Sequence, residues 1–403
     1  MITRFRVQNY KALRDVTLDL TPVHVLIGPN DSGKTSLLEA LAALCRSVER
    51  PFSEVFRRST ERRMYHFSVS WTPPCYQFDG YELETYRDDK IYGGFPISTK
   101  ERLQSIEGEP YEINAQREAT SLYYGKSEES SAFRNLKDQG YPEDLLDQIS
   151  AQLRGVHFYR FSPEALKIPV VLDARRQGRM EFNGFGLPQL LDEIRNDRGR
   201  FARLEERFCE LFLYVAALEL PVQDSYASLP SDHRQVQRSE FASGKGIQFR
   251  LKDGGKLLAE DASDGMFFVL AYLALLHLPE PPRVLLIEEP ENGIHPGRLK
   301  EIIRILKQLV SEQSHTQVLM TTHSPYVLHE FTPEEVTVCV REKNGEVKTR
   351  RLSESKAVQE QMDFFSLGEI WTMEGDEALI QPATDENLDD ATPAPSIEVQ
   401  PAP

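Results

Sequence analysis

The feature that most constrains the fold is a glycine-containing segment that lies between two apolar patterns. Val23–Ile27 is a mostly apolar run typical of a buried strand, and it leads directly into Gly28-Pro29-Asn30-Asp31-Ser32-Gly33-Lys34-Thr35. This octapeptide fits GxxxxGK[ST], and leucines between positions 37 and 44 then fall on one helical stripe. A strand, a glycine loop and a helix in this order are the context in which backbone N–H groups surround phosphate oxygens. The chain is therefore predicted to contain a nucleotide-binding α/β domain.

The side chains of this loop have distinct expected roles. Lys34 is expected to reach the β- and γ-phosphates of ATP, and the Thr35 hydroxyl is expected to ligate Mg²⁺. The alternative is an ordinary glycine-rich turn with a surface lysine. Under the first interpretation, the predicted ATP-binding segment consists of Gly28, Pro29, Asn30, Asp31, Ser32, Gly33, Lys34, Thr35 and Ser36.

A second apolar run ends in two adjacent carboxylates. The run Val284-Leu285-Leu286-Ile287 precedes Glu288 and Glu289. A carboxylate fixed at the end of a buried strand suits Mg²⁺, which needs oxygen ligands at short distance. Glu288 is the predicted metal ligand, and Glu289 is the predicted catalytic residue that polarises the attacking water. The alternative is a charged end on an ordinary buried strand.

A histidine follows the next apolar run. Residues 317–322 are typical of a buried strand, and the sequence continues with His323 and Ser324-Pro325. Ligands of open parallel sheets bind at the carboxyl ends of the strands, so we predict that His323 contacts the γ-phosphate or the water. A lone histidine can also be purely structural.

In combination, these motifs resemble those of ABC-type ATPases of the RecF, SMC and OLD branch. The resemblance covers residues 1–48 and 246–330, and it implies a P-loop NTPase fold with an ABC ATPase head and a helical lobe or insertion. It also implies hydrolysis of ATP to ADP and phosphate with Mg²⁺, ATP binding by Lys11, and a D-loop at Asn292 and Gly293. The segments that carry the resemblance are Asn9-Tyr10-Lys11-Ala12-Leu13, the Gly28 loop, Glu288-Glu289-Pro290-Glu291-Asn292-Gly293-Ile294-His295-Pro296 and Thr322-His323-Ser324-Pro325.

The resemblance further implies a signature motif that contacts the ATP held by an opposite protomer. Ala262-Ser263-Asp264-Gly265-Met266 departs from the family pattern LSGGQ in its first, third and last residues. It keeps the Ser263 hydroxyl and the Gly265 N–H, and a helix beginning at Asp264 or Gly265 would direct its positive end toward that anion. The same residues also suit an ordinary helix N-cap. The implied assembly is an ATP-dependent homodimer or higher oligomer.

The resemblance also implies a separate effector protein. Relatives of the OLD branch often carry a Toprim nuclease after the ATPase, but only 80 residues follow His323. The expected role is therefore a sensor that controls a partner such as a Toprim-like nuclease or a toxin in antiphage defence. Two alternatives are a RecF-like DNA-repair ATPase and the nucleotide-binding subunit of a transporter, and the long middle region disfavours the second.

Charge and hydropathy restrict the partners. The net charge of −16 excludes a uniformly basic surface, although arginine clusters leave open either DNA binding or a solvated face. The longest apolar stretch, from Met266 to Leu276, is far shorter than the ~20 residues that span a bilayer. The N-terminus lacks the apolar core of a signal peptide, so a cytoplasmic protein without a membrane partner is expected. The arginine clusters are Arg57, Arg58, Arg62 and Arg63; Arg175, Arg176 and Arg179; and Arg195, Arg198, Arg200 and Arg203.

Four regions are predicted along the chain. Residues 1–95 form the N-terminal part of the ATPase with the Gly28 loop, and residues 96–245 form a mainly helical lobe or insertion, with one helix over 187–213. Residues 246–355 complete the ATPase with the signature, the two carboxylates, the D-loop and the histidine. Residues 356–403 form a C-terminal segment that is expected to be disordered from about residue 374, where Pro, Ala and acidic residues dominate.

Overall fold

The computed structural model describes residues 1–48, 55, 64–75, 78–86, 98–106, 111–113, 143–174, 177–226, 242–313 and 315–383. The strands of these parts, in chain order, are β1 (Ile2–Tyr10), β2 (Leu13–Asp19), β3 (Val23–Ile27), β4 (Met64–Cys75), β5 (Phe78–Tyr86), β6 (Ser98–Ser105), β7 (Tyr111–Ile113), β8 (Val156–Tyr159), β9 (Val215–Glu219), β10 (Val222–Ser225), β11 (Ala242–Lys245), β12 (Gln248–Leu251), β13 (Lys256–Leu258), β14 (Val284–Glu288), β15 (Gln317–Thr321), β16 (Val336–Arg341) and β17 (Val347–Arg351).

The helices connect these strands or cover their sheets. In chain order they are α1 (Lys34–Ser47), α2 (Glu143–Leu153), α3 (Pro163–Lys167), α4 (Leu187–Arg195), α5 (Arg198–Leu211), α6 (Asp264–Leu276), α7 (Pro296–Glu312), α8 (Pro325–Leu328), α9 (Lys356–Gln361) and α10 (Leu367–Leu379).

The central sheet has the order β17-β16-β3-β15-β14-β8, and all neighbours from β16 to β8 are parallel. Strands β3, β14 and β15 are five residues long and buried along their whole length. Short, continuously apolar strands are typical of a parallel sheet that is covered on both faces. The prediction of a P-loop α/β fold is confirmed.

The two faces of the central sheet pack into two different cores. Leu26 and Leu286 face α1 and the antiparallel sheet β2-β1-β4-β5-β6-β7. Val25 and Ile287 lie in the other core, together with α6 and α7. Residues 266–276 of α6 are buried on every side, which explains why this helix is apolar around its whole circumference. In the part of the chain that the structure describes, no helix has both the length and the apolar character needed to span a membrane.

The helix predicted over residues 187–213 is in fact two helices. Helix α4 ends at Arg195, and α5 begins at Arg198. Between them, the Asp197 side chain accepts hydrogen bonds from the N–H groups of Gly199 and Arg200, at 3.0 and 3.1 Å. Leucine spacing predicted both helical stretches but missed this N-cap, which starts a new helix at Arg198.

In the residues that the structure describes, the middle region is mixed and not mainly helical as predicted. Its described parts hold strands from β6 to β11 as well as helices from α2 to α5. One of these strands, β8, pairs with β14 and forms an edge of the central sheet. A boundary at residue 96 or 245 therefore does not separate the ATPase from an insertion.

The prediction of disorder from about residue 374 was also wrong for the residues that directly follow. Helix α10 continues to Leu379, whose side chain is fully buried. The helix bends at Gly375, where φ is 75°, and the indole N–H of Trp371 donates to Asp376 across the bend at 2.8 Å. Packing against the rest of the fold orders this acidic sequence, which has little helical periodicity of its own. The arginine predictions at Arg57, Arg58, Arg62, Arg63, Arg175 and Arg176, and the tail from residue 384, lie outside the described residues.

Candidate active site

The carboxyl ends of four parallel strands meet at one cleft of about 860 Å³. Register places Glu288 beside Thr321, and Ile287 beside Tyr159, so the residues that follow these strands lie at one level. The lining side chains come from the Gly28 loop and from the ends of β8, β14 and β15. They include Ala12, residues 30–36, Arg160, Glu288, Glu289, Glu291, Asn292, His323, Ser324, Pro325 and Tyr326.

Two glycines give the loop its shape. Gly28 has φ 136°, and a Cβ there would lie 2.0 Å from the carbonyl oxygen of Cys339. Gly33 has φ 90°, and its Cβ would lie 2.7 Å from a methyl group of Val347. Both residues have a left-handed backbone, and at both positions a side chain would clash with β16 or β17. Only glycine therefore fits. The resulting backbone cradle is the feature that suits phosphate groups.

Lys34 is folded into the loop that precedes it. Its Nζ donates to the carbonyl oxygens of Gly28 and Pro29, at 2.8 and 2.7 Å, and to the Ser32 hydroxyl at 3.2 Å. Burial lowers the pKa of the ammonium group. The charge is thus held directly beside the cradle, where a phosphate could replace these carbonyl contacts.

Thr35 and Glu288 bring two oxygen donors together. The Thr35 hydroxyl donates to Oε1 of Glu288, whose side chain is only 4% exposed. Among the described residues, no group of three or more His, Cys, Asp or Glu side chains could hold a metal ion. One hydroxyl and one carboxylate fit Mg²⁺, which binds through few protein oxygens and completes its shell with phosphate and water.

Glu289 is held by three partners. Its Oε2 accepts from the Asn292 amide at 2.6 Å and from Arg160 at 3.1 Å, and Nε2 of His323 lies 3.3 Å from its Oε1. The backbone of Glu289 is left-handed, with φ 49°, and its N–H donates to the Thr321 carbonyl at 3.1 Å. A left-handed conformation in a residue other than glycine is strained and is common at active sites. The carboxylate therefore faces the cleft in one fixed orientation.

Glu291 links the two strand ends. Its Oε1 accepts from the Thr322 hydroxyl at 2.9 Å and from the His323 N–H at 2.6 Å. Its other oxygen is buried without a hydrogen-bond partner among the described residues, and burial raises the pKa of the carboxyl. This contact sets the position of the backbone that carries His323.

Three groups of predicted residues lie wholly or partly outside this network. Lys11 pairs with Glu39, and its neighbour Ala12 lines the cleft instead. Ser263 is the N-cap of α6, and Asp264 pairs with Lys167 at 2.8 Å, away from the cleft of the same chain. In the D-loop, Asn292 lines the cleft, whereas a Cβ at Gly293 would lie 3.1 Å from the Phe268 ring.

Sequence reasoning missed the roles of Arg160 and Glu291, and it did not place Tyr326 at the cleft. Arg160 follows β8, which lies in a region of irregular pattern and was not predicted as a strand. Glu291 lies within the resembling segment, yet nothing in its spacing indicates a hydrogen bond to residue 323. A charged residue directly after a short run of β-branched and aromatic residues, as in Val156–Tyr159, is the pattern that could have identified Arg160.

Two protein families match this chain. Residues 98–329 match the family described as "AAA domain, putative AbiEii toxin, Type IV TA system". Residues 1–153 match the family described as "AAA ATPase domain". Comparison with curated proteins found no match.

Several solved structures are similar at low identity. The SMC head bound to the C-winged helix domain of ScpA has 14% identity and a TM-score of 0.47, and the match covers 89% of this chain and 99% of that one. The SMC head domain from Thermotoga maritima has 12% identity and a TM-score of 0.42, covering 87% and 98%. The SMC head with an extended coiled coil bound to the C-terminal domain of ScpA, derived from Pyrococcus furiosus, has 11% identity and a TM-score of 0.45, covering 90% and 99%.

Proposed function

This chain belongs to the AAA domain family that matches residues 98–329, and on that premise we propose that its ATPase activity regulates a separate effector protein in antiphage defence. The chain is an ABC-type ATPase of the RecF, SMC and OLD branch. The observation that carries the proposal is the cleft in which the Gly28 loop faces Glu288, Glu289 and His323. It places a phosphate cradle opposite a fixed pair of carboxylates.

The proposed roles follow from this geometry. The loop and Lys34 bind the phosphates of ATP. Thr35 and Glu288 are the residues that would hold Mg²⁺, which would neutralise charge at the phosphates when bound. Glu289 accepts a proton from the attacking water, and His323 contacts Glu289 and the γ-phosphate. The Asn292 amide keeps Glu289 oriented, since a donated hydrogen bond fixes one carboxylate oxygen.

The signature residues are proposed to act on the ATP of a second protomer. Ser263, Asp264 and Gly265 lie at the N-terminus of the 13-residue helix α6 and do not line the cleft of their own chain. Nothing lies within 4 Å of a Cβ placed on Gly265, so its backbone is accessible to another molecule. If two copies associate so that these residues of each face the cleft of the other, the pair contains two complete ATP sites.

The family description names a putative AbiEii toxin of a type IV toxin–antitoxin system, which supports a role for this chain in such a system, and the separate effector is our proposal. DNA is a less favoured partner because part of the arginine cluster in α4 and α5 is already neutralised. Arg195 pairs with Asp192 at 2.6 Å, and Arg200 pairs with Asp197 at 3.0 Å. A cytoplasmic location belongs to the same proposal.

The experiment uses Glu289→Gln protein purified from its native host with Mg-ATP and weighed by native mass spectrometry. The expected result is a dimer or larger assembly that carries a second polypeptide and that dissociates in ADP. The matched control is Glu289→Gln combined with Lys34→Ala, which should remain monomeric and unbound. A bare dimer with bound DNA would favour the repair alternative, and a persistent monomer would contradict the proposed role of the signature.

A further inference from the structure

We propose that Arg160 is a built-in counter-cation for Glu288 and Glu289, and that it reduces the dependence of ATP binding on Mg²⁺. The inference rests on the proposed function, because it takes Glu288 as the metal ligand. Arg160 is then a positioning residue that stabilises the two carboxylates in the absence of metal.

The guanidinium group lies against both carboxylates. Nη1 of Arg160 is 3.7 Å from Oε1 of Glu288, and Nη2 is 3.1 Å from Oε2 of Glu289. The Glu288 side chain is 4% exposed and that of Glu289 is 19% exposed, so water screens their negative charges poorly. A cation at this distance offsets the cost of placing two adjacent carboxylates in a cleft.

The backbone of Arg160 is fixed on both sides. Tyr159 and Phe161 are buried and stack with ring centroids 5.0 Å apart. The N–H of Arg160 itself donates to the Phe182 carbonyl at 2.8 Å. The guanidinium therefore reaches the carboxylates from an anchored position at the end of β8, and not from a mobile surface loop.

Within the described ranges, Arg160 is the permanent cation that forms ion pairs with these two carboxylates, although Glu289 also acts electrostatically on Lys34. The ammonium of Lys34 is bonded to the carbonyl oxygens of its own loop and to Ser32. The remaining partners are the Thr35 hydroxyl, the Asn292 amide and the ring of His323. Arg160 thus neutralises the carboxylate charge in the nucleotide-free cleft, as Mg²⁺ would when ATP is bound.

If Arg160 takes the place of a metal cation, its removal should make ATP binding more dependent on Mg²⁺. Without Arg160, the carboxylates would repel the phosphates of metal-free ATP, and Mg²⁺ would have more negative charge to neutralise. Arg160 is half-exposed, with 49% of its side chain accessible, so water screens the interaction and the effect is moderate. We expect removal of the guanidinium to change the metal dependence by roughly fivefold, as for a partly exposed ion pair.

The test measures the dissociation constant of methylanthraniloyl-ATP by fluorescence, once in EDTA and once in Mg²⁺. The dissociation constant in EDTA is then divided by the dissociation constant in Mg²⁺. In Arg160→Gln this ratio should be about fivefold higher than in the wild type, mainly through weaker binding in EDTA. Arg160→Lys keeps the charge and should stay near the wild type. The matched control is Arg154→Gln, an exposed arginine before the opposite end of β8, which should leave the ratio unchanged.

A second measurement needs no nucleotide. Binding of Mn²⁺ to the nucleotide-free protein, followed by electron paramagnetic resonance, should be tighter in Arg160→Gln because the competing cation is gone. An unchanged or lower ratio in Arg160→Gln, or an equal loss of affinity with and without metal, would overturn the proposal. Failure of the proposed function gives a different result, since Lys34→Ala would then bind the ATP analogue as well as the wild type does.

Discussion

The two sides of the cleft are built in opposite ways. The phosphate side is one continuous segment from Gly28 to Thr35, whose shape depends on backbone conformation and close approach to β16. The acidic side is assembled from separate segments, with Arg160 after β8, Glu288 and Glu289 at the end of β14, and His323 after β15. A continuous backbone site depends on a few local residues, whereas an assembled side-chain site depends on the order of the strands in the sheet.

The largest effect is expected on the phosphate side, for Lys34→Ala. Loss of a largely buried ammonium group that faces the phosphates should weaken ATP binding by about a hundredfold to a thousandfold, with the fold retained. Titration calorimetry with ATP measures the change. The control is Lys343→Ala in the exposed turn between β16 and β17, which should bind ATP normally. Equal affinity in Lys34→Ala and the wild type would remove this lysine from the site.

Glu289→Gln tests the acidic side on its own. The amide cannot accept a proton from water, so turnover should fall by about a hundredfold or more. ATP affinity should change little, because the phosphate side is intact. Phosphate release gives the rate, and calorimetry gives the affinity. Normal turnover in this variant would mean that another group polarises the water.

Gly28→Ala tests whether backbone shape is the basis of the phosphate side. Its Cβ would lie 2.0 Å from the carbonyl oxygen of Cys339, so β3 and β16 would have to separate. We expect a loss of about 3 kcal/mol in the free energy of unfolding, measured by urea denaturation. Gly254→Ala is the control. Gly254 also has a left-handed backbone, with φ 90°, but nothing lies within 4 Å of a Cβ placed on it. It should lose only about 1 kcal/mol.

The last prediction concerns the pH dependence of stability and rests on buried histidines in β3 and β8, the strands that lead to the two sides. Burial lowers the pKa of His24 in β3 to about 3 and that of His157 in β8 to about 4. Both rings are neutral when folded, whereas the unfolded chain takes up protons near pH 6.5. The unfolded state therefore binds more protons below pH 6.5, and stability should fall as the pH decreases from 6.5 towards 4. Urea denaturation at several pH values measures the slope, and a slope unchanged by His24→Gln would exclude His24 as a cause.

Prediction succeeded where residues close in sequence decide the structure. The loop, the strand before it, the buried strands β14 and β15, and the helices α1, α6 and α7 follow from apolar runs and glycine positions. It failed at one local feature, the Asp197 cap that splits a helix, which leucine spacing does not reveal. It also failed where distant segments decide: β8 joins the sheet from a region without clear pattern, and packing orders α10 beyond residue 374.

The sequence by itself determined that the chain has a phosphate loop between a buried strand and a helix, and that two carboxylates and a histidine follow other buried strands. These features can be recognised in the sequence because loop conformation and the apolar pattern of a buried strand are set by residues that are neighbours in the chain. Only the tertiary structure decided that Arg160 contacts Glu288 and Glu289, and that Glu291 holds His323. These contacts join residues far apart in the chain, and they exist only because parallel pairing brings β8, β14 and β15 to a common edge.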